Sequence, residues 1–509
     1  MLNLTPYLRL YASYRRCQQL AASQGATQEA QLLKLVRYAA NTKFGRDHVF
    51  SQINSVADYQ RQVPLRRYEN FWKEYWQPVF PHLTDCCWPG TIPLFPVSSG
   101  TSSGTTKFIP CTQEMIKSNT KAGLDLLSYH VLNRPQSKIF GGKSFFLGGS
   151  TALKQEAPGI YSGDLSGITA KSLPWWAQMR YFPPADLALM ANWEEKIQVL
   201  AERSLKEDIR MLSGVPSWML IFIDKLFELC PGKSLAEIYP NLEMVVHGGV
   251  NFAPYYERFL DLLKGSKAEL REVYPASEGF IAVADRGYGE GLRLNTDTGI
   301  FYEFVPLEEL DQANPTRHWV GNLEKGVNYA VVLTTCAGLW SYIIGDTVRF
   351  VDTSTPRLLV TGRTSYMLSA FGEHLIGEEI EASVAKSASE LGLDIKDFSV
   401  GAIYPEQNGD LGGHLYVVEF NQGRPTPENE AKFLKILDLE LQRLNEDYAA
   451  HRAEGFGLNP PKLMVVEPGT FTAWMKSRGK LGGQNKVPRV INDQQLFRSL
   501  TQFPQAACA

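Results

Sequence analysis

The chain has 509 residues, more than one hydrophobic core normally serves, so two or more domains are expected. Its 44% hydrophobic and 21% charged residues read as globular, and a net charge of -3 argues against a general polyanion-binding surface, so nucleic acid is not an expected partner. No apolar run is long enough to cross a bilayer and no basic-then-apolar leader opens the chain; its seven cysteines and eight histidines form no C-x-x-C or H-x-x-x-H pair, which leaves no membrane contact, no structural zinc and reduced thiols in a cytoplasmic protein as the expectation.

The first hundred residues read as helices and turns. Leu32, Leu33, Leu35, Val36 and Tyr38 recur at helical spacing over Gln28–Ala40, with Asn41-Thr42-Lys43-Phe44-Gly45 as the expected stop. From Ile92 short apolar runs alternate with Gly-rich loops and helices. Strands are expected at Ile92–Val97, Lys107–Pro110, Ser144–Leu147, Met244–His247, Glu272–Tyr274, Tyr329–Leu333 and Leu358–Thr361. Helices are expected at Gln113–Val131, Asn192–Glu207, Pro216–Glu228 and Pro254–Leu263. The alternation implies an α/β domain with a largely buried sheet. The pattern resets after Gly362-Arg363: helix Glu378–Leu391, strands Phe398–Tyr404 and His414–Phe420, helix Glu428–Tyr448, strand Lys462–Val466 and a short final helix make an α+β unit. The expected domains are 1–362 and 363–509.

Five segments could carry chemistry. In Ser98-Ser99-Gly100-Thr101-Ser102-Ser103-Gly104-Thr105-Thr106-Lys107, glycines let backbone N–H groups approach an anion, hydroxyls add donors and the lysine adds a mobile positive charge. The spacing is not that of a Walker loop, and strand signals flank the run, so it reads as a phosphate loop between strands. Gly141-Gly142-Lys143-Ser144 mimics the end of a Walker loop and reads as a turn into a strand. Met244 to Val250 is a strand ending in Gly248-Gly249, where a flat base could stack; a plain strand-to-loop turn explains it as well. Tyr274-Pro275-Ala276-Ser277-Glu278 presents an aromatic, a hydroxyl and a carboxylate suited to Mg²⁺ on nucleotide phosphates, or a surface turn with a solvated glutamate. Tyr342-Ile343-Ile344-Gly345-Asp346 places a carboxylate that could accept from a ribose diol, or a Gly-Asp turn. Gly362-Arg363 and Glu378-Glu379-Ile380-Glu381 sit on the domain boundary.

Taken in order, these segments resemble the adenylate-forming superfamily of acyl-CoA synthetases, luciferases and peptide-synthetase adenylation domains, and Leu212-Ser213-Gly214-Val215-Pro216-Ser217 is similar to its Gly-Val-Pro segment. The Ser-Ser-Gly-Thr-Ser-Ser-Gly-x-x-Lys loop, Asn41-Thr42-Lys43-Phe44-Gly45 and Gln484-Asn485-Lys486-Val487-Pro488-Arg489 resemble more closely the auxin-responsive-promoter family of acyl-acid amido synthetases, and Ala370-Phe371-Gly372-Glu373 looks bacterial. Two motifs depart from that family: Ala276 stands in its Tyr-x-Ser-Ser-Glu, and Ile343 replaces the arginine of its Tyr-Arg-x-Gly-Asp.

The resemblance implies a large N-terminal α/β domain with a smaller mobile C-terminal α+β cap and the site in the cleft. It implies ATP and Mg²⁺ as cofactors, and as reaction the adenylation of a small carboxylic acid followed by transfer to an amine or amino acid. By the same resemblance Lys107, Glu278 and Lys486 are catalytic and Glu278 holds the metal. Ser98, Ser99, Gly100, Thr101, Ser102 and Gly104 take phosphates, Gly248, Gly249, Tyr274 and Ser277 lie at the adenine, and Tyr342, Asp346 and Arg363 complete the nucleotide site, Asp346 at the ribose. The helices Gln113–Val131 and Pro216–Glu228 would line the acyl pocket, with Trp175-Trp176 assigned to the core. Lys486 is preferred over Lys480 as the cap lysine. A CoA synthetase, or a degenerate adenylate-binding protein, are the alternatives.

Overall fold

The computed structural model describes residues 2–99, 106–148, 153–172, 175–188, 190, 193–249, 252, 255–364, 368, 375–404, 412–445, 448–449, 452, 458–478 and 486–504. The chain divides into two compact units. One comprises Met1–Ser98, Thr105–Ile344 and Val348–Val360; the other comprises Ser99–Gly104, Gly345–Thr347 and Thr361–Ala509. No helix among the described residues is long and apolar enough to cross a membrane.

The N-terminal helices are set by local capping. Ser23 accepts from the Ala26 amide and starts helix Gln24–Ala39. The expected stop at Asn41 to Gly45 is a stop followed by a restart. The Thr42 hydroxyl donates to Ala39 O and accepts from Gly45 N, ending one helix and capping the next, Lys43–Asp47. Gly45 is required there because a Cβ would lie 2.2 Å from Ala39 O.

A mixed twelve-stranded sheet runs, in spatial order, through His318–Trp319, Ile300–Pro306, Asn328–Thr335, Tyr342–Asp352, Arg357–Arg363, Leu292–Leu294, Gly279–Val283, Glu269–Ala276, Met244–Gly248, Ile209–Gly214, Lys143–Leu147 and Tyr181–Phe182. From Glu269–Ala276 to Tyr181–Phe182 the neighbours are parallel, and buried apolar clusters cover this half. Helices Trp193–Ser204 and Pro216–Leu229 contribute to that packing. A four-stranded sheet orders Thr106–Phe108, Leu94–Ser99, Ile160–Gly163 and Leu153–Ala157. The Ser/Thr/Gly segment therefore joins two neighbouring strands, and Gly141-Gly142 turns into strand Lys143–Leu147.

In the second unit, strands Ile395–Ile403 and Gly413–Phe420 are antiparallel and Lys462–Val466 runs parallel to the latter. Strand alternation splits the two faces. Tyr416, Val418 and Phe420 pack with helices Gly377–Glu390 and Pro427–Leu444, while Val417 faces Phe471, Trp474 and Phe497 of helices Thr470–Ser477 and Gln494–Thr501. The edge strand is covered where Val400 N donates to Arg489 O and Ile491 N to Val400 O, anchoring the segment after Lys486. The expected helix to Tyr448 ends at Leu444 in a cap on Asn445.

Candidate functional site

In the first unit the site is built where strand ends meet helix starts. Strands Glu269–Ala276 and Gly279–Val283 form a hairpin in which Ala276 pairs with Gly279, so Ser277 and Glu278 occupy a two-residue turn. Gly279 has φ +155°, and a Cβ there would lie 2.6 Å from Ile300 Cδ1. Helix Gln113–Asn133 braces the hairpin: Thr112 caps it by accepting from Met115 N, its hydroxyl donates to Cys336 O, and Asn119 Oδ1 accepts from Phe280 N.

Glu278 is 7% exposed, unlike a solvated surface glutamate. The Tyr342 hydroxyl, itself on a residue 1% exposed, donates to Glu278 Oε1 at 3.2 Å. Burial first, then the charge of Glu278, drives the Tyr342 phenol well above its ordinary pKa, and Glu69 and Tyr68 add to the shift, so all four groups share one electrostatic neighbourhood. Lys107 belongs to it as well. Its Nζ lies 3.7 Å from Glu69 Oε1 and 5.3 Å from the Tyr68 ring centroid. The Tyr68 hydroxyl accepts from Phe108 N and ties the strand after the loop to helix Tyr68–Phe71.

The strand order places Gly248 beside Val273, one residue before buried Tyr274. A Cβ on Gly248 would meet Val273 O at 2.2 Å, so close strand packing by itself requires this glycine; Gly249 has φ +76° and is exposed. Ile343 points away from Tyr342: it packs with Val305, Val332, Leu65 and Leu310, whereas Tyr342 and Ile344 belong to the main core.

The second unit gathers another charged group. Arg363 Nε and Asp346 Oδ1 are 2.9 Å apart, and Gly345, within strand Tyr342–Asp352, has φ +93°. Arg489 pairs with Asp397, lies 3.9 Å from Glu381 Oε1 and stacks on Phe398. Lys486 feels the same charges. Desolvation lowers its pKa to about 8, Arg363 and Arg489 act in the same direction, and Asp346 and Glu381 oppose them. Part of the side chain stays exposed, so the desolvation is partial.

Lys107, Glu278, Tyr342, Tyr274 and Gly248 thus belong to the first unit, and Asp346, Arg363 and Lys486 to the second. Ser98 and Ser99 end strand Leu94–Ser99. Gly100, Thr101, Ser102, Gly104 and Lys480 lie outside the described residues, as do the side chains of Trp175 and Trp176. Sequence reading missed Tyr68 and Glu69, which sit in a helical stretch with no motif and reach Lys107 only through the fold. Among the described residues no group of three His, Cys, Asp or Glu could hold a metal alone.

Models of the GH3 family match along the chain: its N-terminal domain over residues 13–268, its central domain over 294–363 and its C-terminal domain over 378–495. An Arabidopsis thaliana protein named indole-3-acetic acid-amido synthetase GH3.3 is 25% identical over 332 residues, covering 60% of this chain and 55% of that protein. The chain thus spans little more than half the length of that curated relative. Among solved structures, one titled GH3.15 acyl acid amido synthetase superposes with a TM-score of 0.76 at 17% identity, over 94% of this chain and 93% of the other. A 2-hydroxyisobutyryl-CoA ligase in the postadenylation state has a TM-score of 0.61 at 16% identity, over 94% and 91%. Both likenesses establish the fold, a large α/β unit with a smaller α+β unit.

Proposed function

Because the chain belongs to the GH3 family, we propose that it adenylates a small carboxylic acid with ATP and passes the acyl group to an amine, with an amino acid as the acceptor class. A carboxylate oxygen attacks the α-phosphorus and pyrophosphate leaves. The amine nitrogen then attacks the acyl carbon, the amide forms, and AMP leaves with the electron pair of the broken anhydride. The first step brings an anion to a polyanion, so its barrier is electrostatic. Preorganised donors and positive charge at the phosphates lower it.

In this reading the backbone and hydroxyls of Ser98, Ser99, Gly100, Thr101, Ser102 and Gly104 cradle phosphates, and Lys107 neutralises charge on the departing pyrophosphate. Gly248, Gly249, Tyr274 and Ser277 bound the adenine, Asp346 accepts from the ribose with Arg363 beside it, and Lys486 serves the adenylation step. Mg²⁺, when bound, supplies Lewis-acid neutralisation of the phosphate oxygens. Glu278 is the residue that would hold it, and a buried carboxylate suits a hard cation that takes its remaining ligands from phosphates and water. The reading includes a mobile second unit and a cytoplasmic setting.

The observation that carries the proposal is the buried Glu278 carboxylate at a two-residue turn, held by Tyr342 in the electrostatic neighbourhood of Glu69, the partner of Lys107. ATP–pyrophosphate exchange over a panel of aryl and alkyl carboxylates tests it. Exchange that needs both Mg²⁺ and a carboxylate is expected. ATP binding without exchange across the panel would instead mark an adenylate-binding protein.

A further inference from the structure

The strand that begins at Tyr342 delivers its first side chain to the hairpin turn that carries Glu278. Tyr342 is clamped from both sides. Its strand is tied to the segment just before helix Tyr68–Phe71, where Arg66 N donates to Ser341 O and Ile343 N to Arg66 O, and its ring lies 6.1 Å from that of Phe71 within the main core. Little freedom remains to the hydroxyl, which donates to Glu278 Oε1 at 3.2 Å. A residue 1% exposed whose polar atom is committed to a neighbouring carboxylate is poorly placed to contact a nucleotide.

We propose that Tyr342 is a positioning residue that acts through Glu278: its hydroxyl helps hold the carboxylate in the orientation that takes the divalent cation accompanying ATP. This rests on the reading of Glu278 as the metal-binding carboxylate. The physical basis is general. A carboxylate left to rotate about its own side chain must be ordered each time a cation binds, and an outer hydrogen bond that preorders it typically contributes ten- to hundredfold in metal affinity. The same arrangement explains why Ile343 is tolerated. Its side chain lies on the opposite face of the strand, in an apolar cluster that makes no use of a charge.

The test compares wild type, Tyr342→Phe, Glu278→Gln and the double variant. Mn²⁺ serves as the probe, and its binding is followed by electron paramagnetic resonance with α,β-methylene-ATP present; Mg²⁺ titration of exchange gives the second readout. Tyr342→Phe should raise the metal midpoint roughly ten- to hundredfold and leave the KM for the carboxylate unchanged, with exchange recovering at high Mg²⁺. The double variant should bind no more weakly than Glu278→Gln alone, because the two side chains act as one unit. Wild-type metal affinity in Tyr342→Phe, or losses that add in the double variant, would overturn the proposal. Wild-type affinity in Glu278→Gln would overturn the metal reading itself. Tyr342→Met, flexible enough to fill the same space, is the second variant should the phenylalanine fold poorly, and it must shift the metal midpoint in the same direction.

Discussion

Lys107 and Lys486 are both lysines of the proposed phosphate chemistry, but their surroundings differ. Lys107 rests over an aromatic ring and beside a half-exposed glutamate, so it is held in place yet released at little cost when phosphate arrives. Replacing it with alanine should lower the exchange rate by about two to three decades, as expected for losing one preorganised donor at developing charge. A rate within a few-fold of wild type, measured with saturating ATP, would leave Lys107 as a solvated side chain. Lys486 carries a pKa lowered to about 8. A lysine with a depressed pKa is charged below that value and neutral above it. Adenylation that needs its positive charge should therefore begin to fall at a pH below the roughly 10.4 of an ordinary lysine. A pH profile of exchange flat to pH 10 would exclude a charged role for a lysine with a depressed pKa.

At the scale of elements, a second buried cluster ties a helix end to the starts of two parallel strands. His130, near the end of helix Gln113–Asn133, is fully buried. Its Nδ1 lies 2.5 Å from Glu269, where one strand starts, and its Nε2 lies 3.4 Å from Glu243, just before another. Burial works to lower its pKa, but the hydrogen bonds and charges of the two glutamates outweigh it and leave the pKa raised. Glu269 is held down to about 2 despite its own burial. A raised histidine pKa means the cluster stabilises the fold fully below the unfolded value of about 6.5 and loses that contribution as pH climbs through the folded value. His130→Ala removes one cation from a cluster in which Glu269 keeps Arg134 and Arg271 and Glu243 keeps Arg210, so it should cost roughly 1–3 kcal/mol near pH 6 and less near pH 9. Urea unfolding at the two pH values checks this; equal losses would deny the imidazolium its role. The helix and strands it joins were legible in the sequence because each carries its own periodicity and caps. The charged seam was not, because Glu243, Glu269 and His130 are far apart in the chain and each alone is an ordinary polar residue.

At the scale of the whole molecule, the make-up of the two units was partly readable. The expected strands and helices from Ile92 onward, including those read after Gly362-Arg363, are present with their ends shifted by a few residues. The return of Gly345–Thr347 to the second unit could not be read, since a strand that runs from one unit into another leaves no signature in its own alternation. Tyr68 and Glu69 were missed for the same reason: proximity to Lys107 is a property of the fold. With Asp346 and Lys486 in one unit and Lys107 and Glu278 in the other, the two half-reactions should separate by mutation. Lys486→Ala should depress acyl-adenylate formation while sparing attack of an amine on supplied acyl-adenylate, read as single-turnover rates for each step. Equal loss in both would point to general destabilisation, and loss confined to Lys480→Ala would reassign the role.

A ligase of the proposed kind spends ATP to join a carboxylic acid to an amine. Product analysis by mass spectrometry tests it most directly, with ATP, Mg²⁺, a carboxylate panel, a mixture of amino acids and CoA supplied together. AMP and an amide of one carboxylate with one amino acid are the predicted products. AMP with an acyl-CoA thioester, or no carboxylate-dependent AMP at all, would contradict the account.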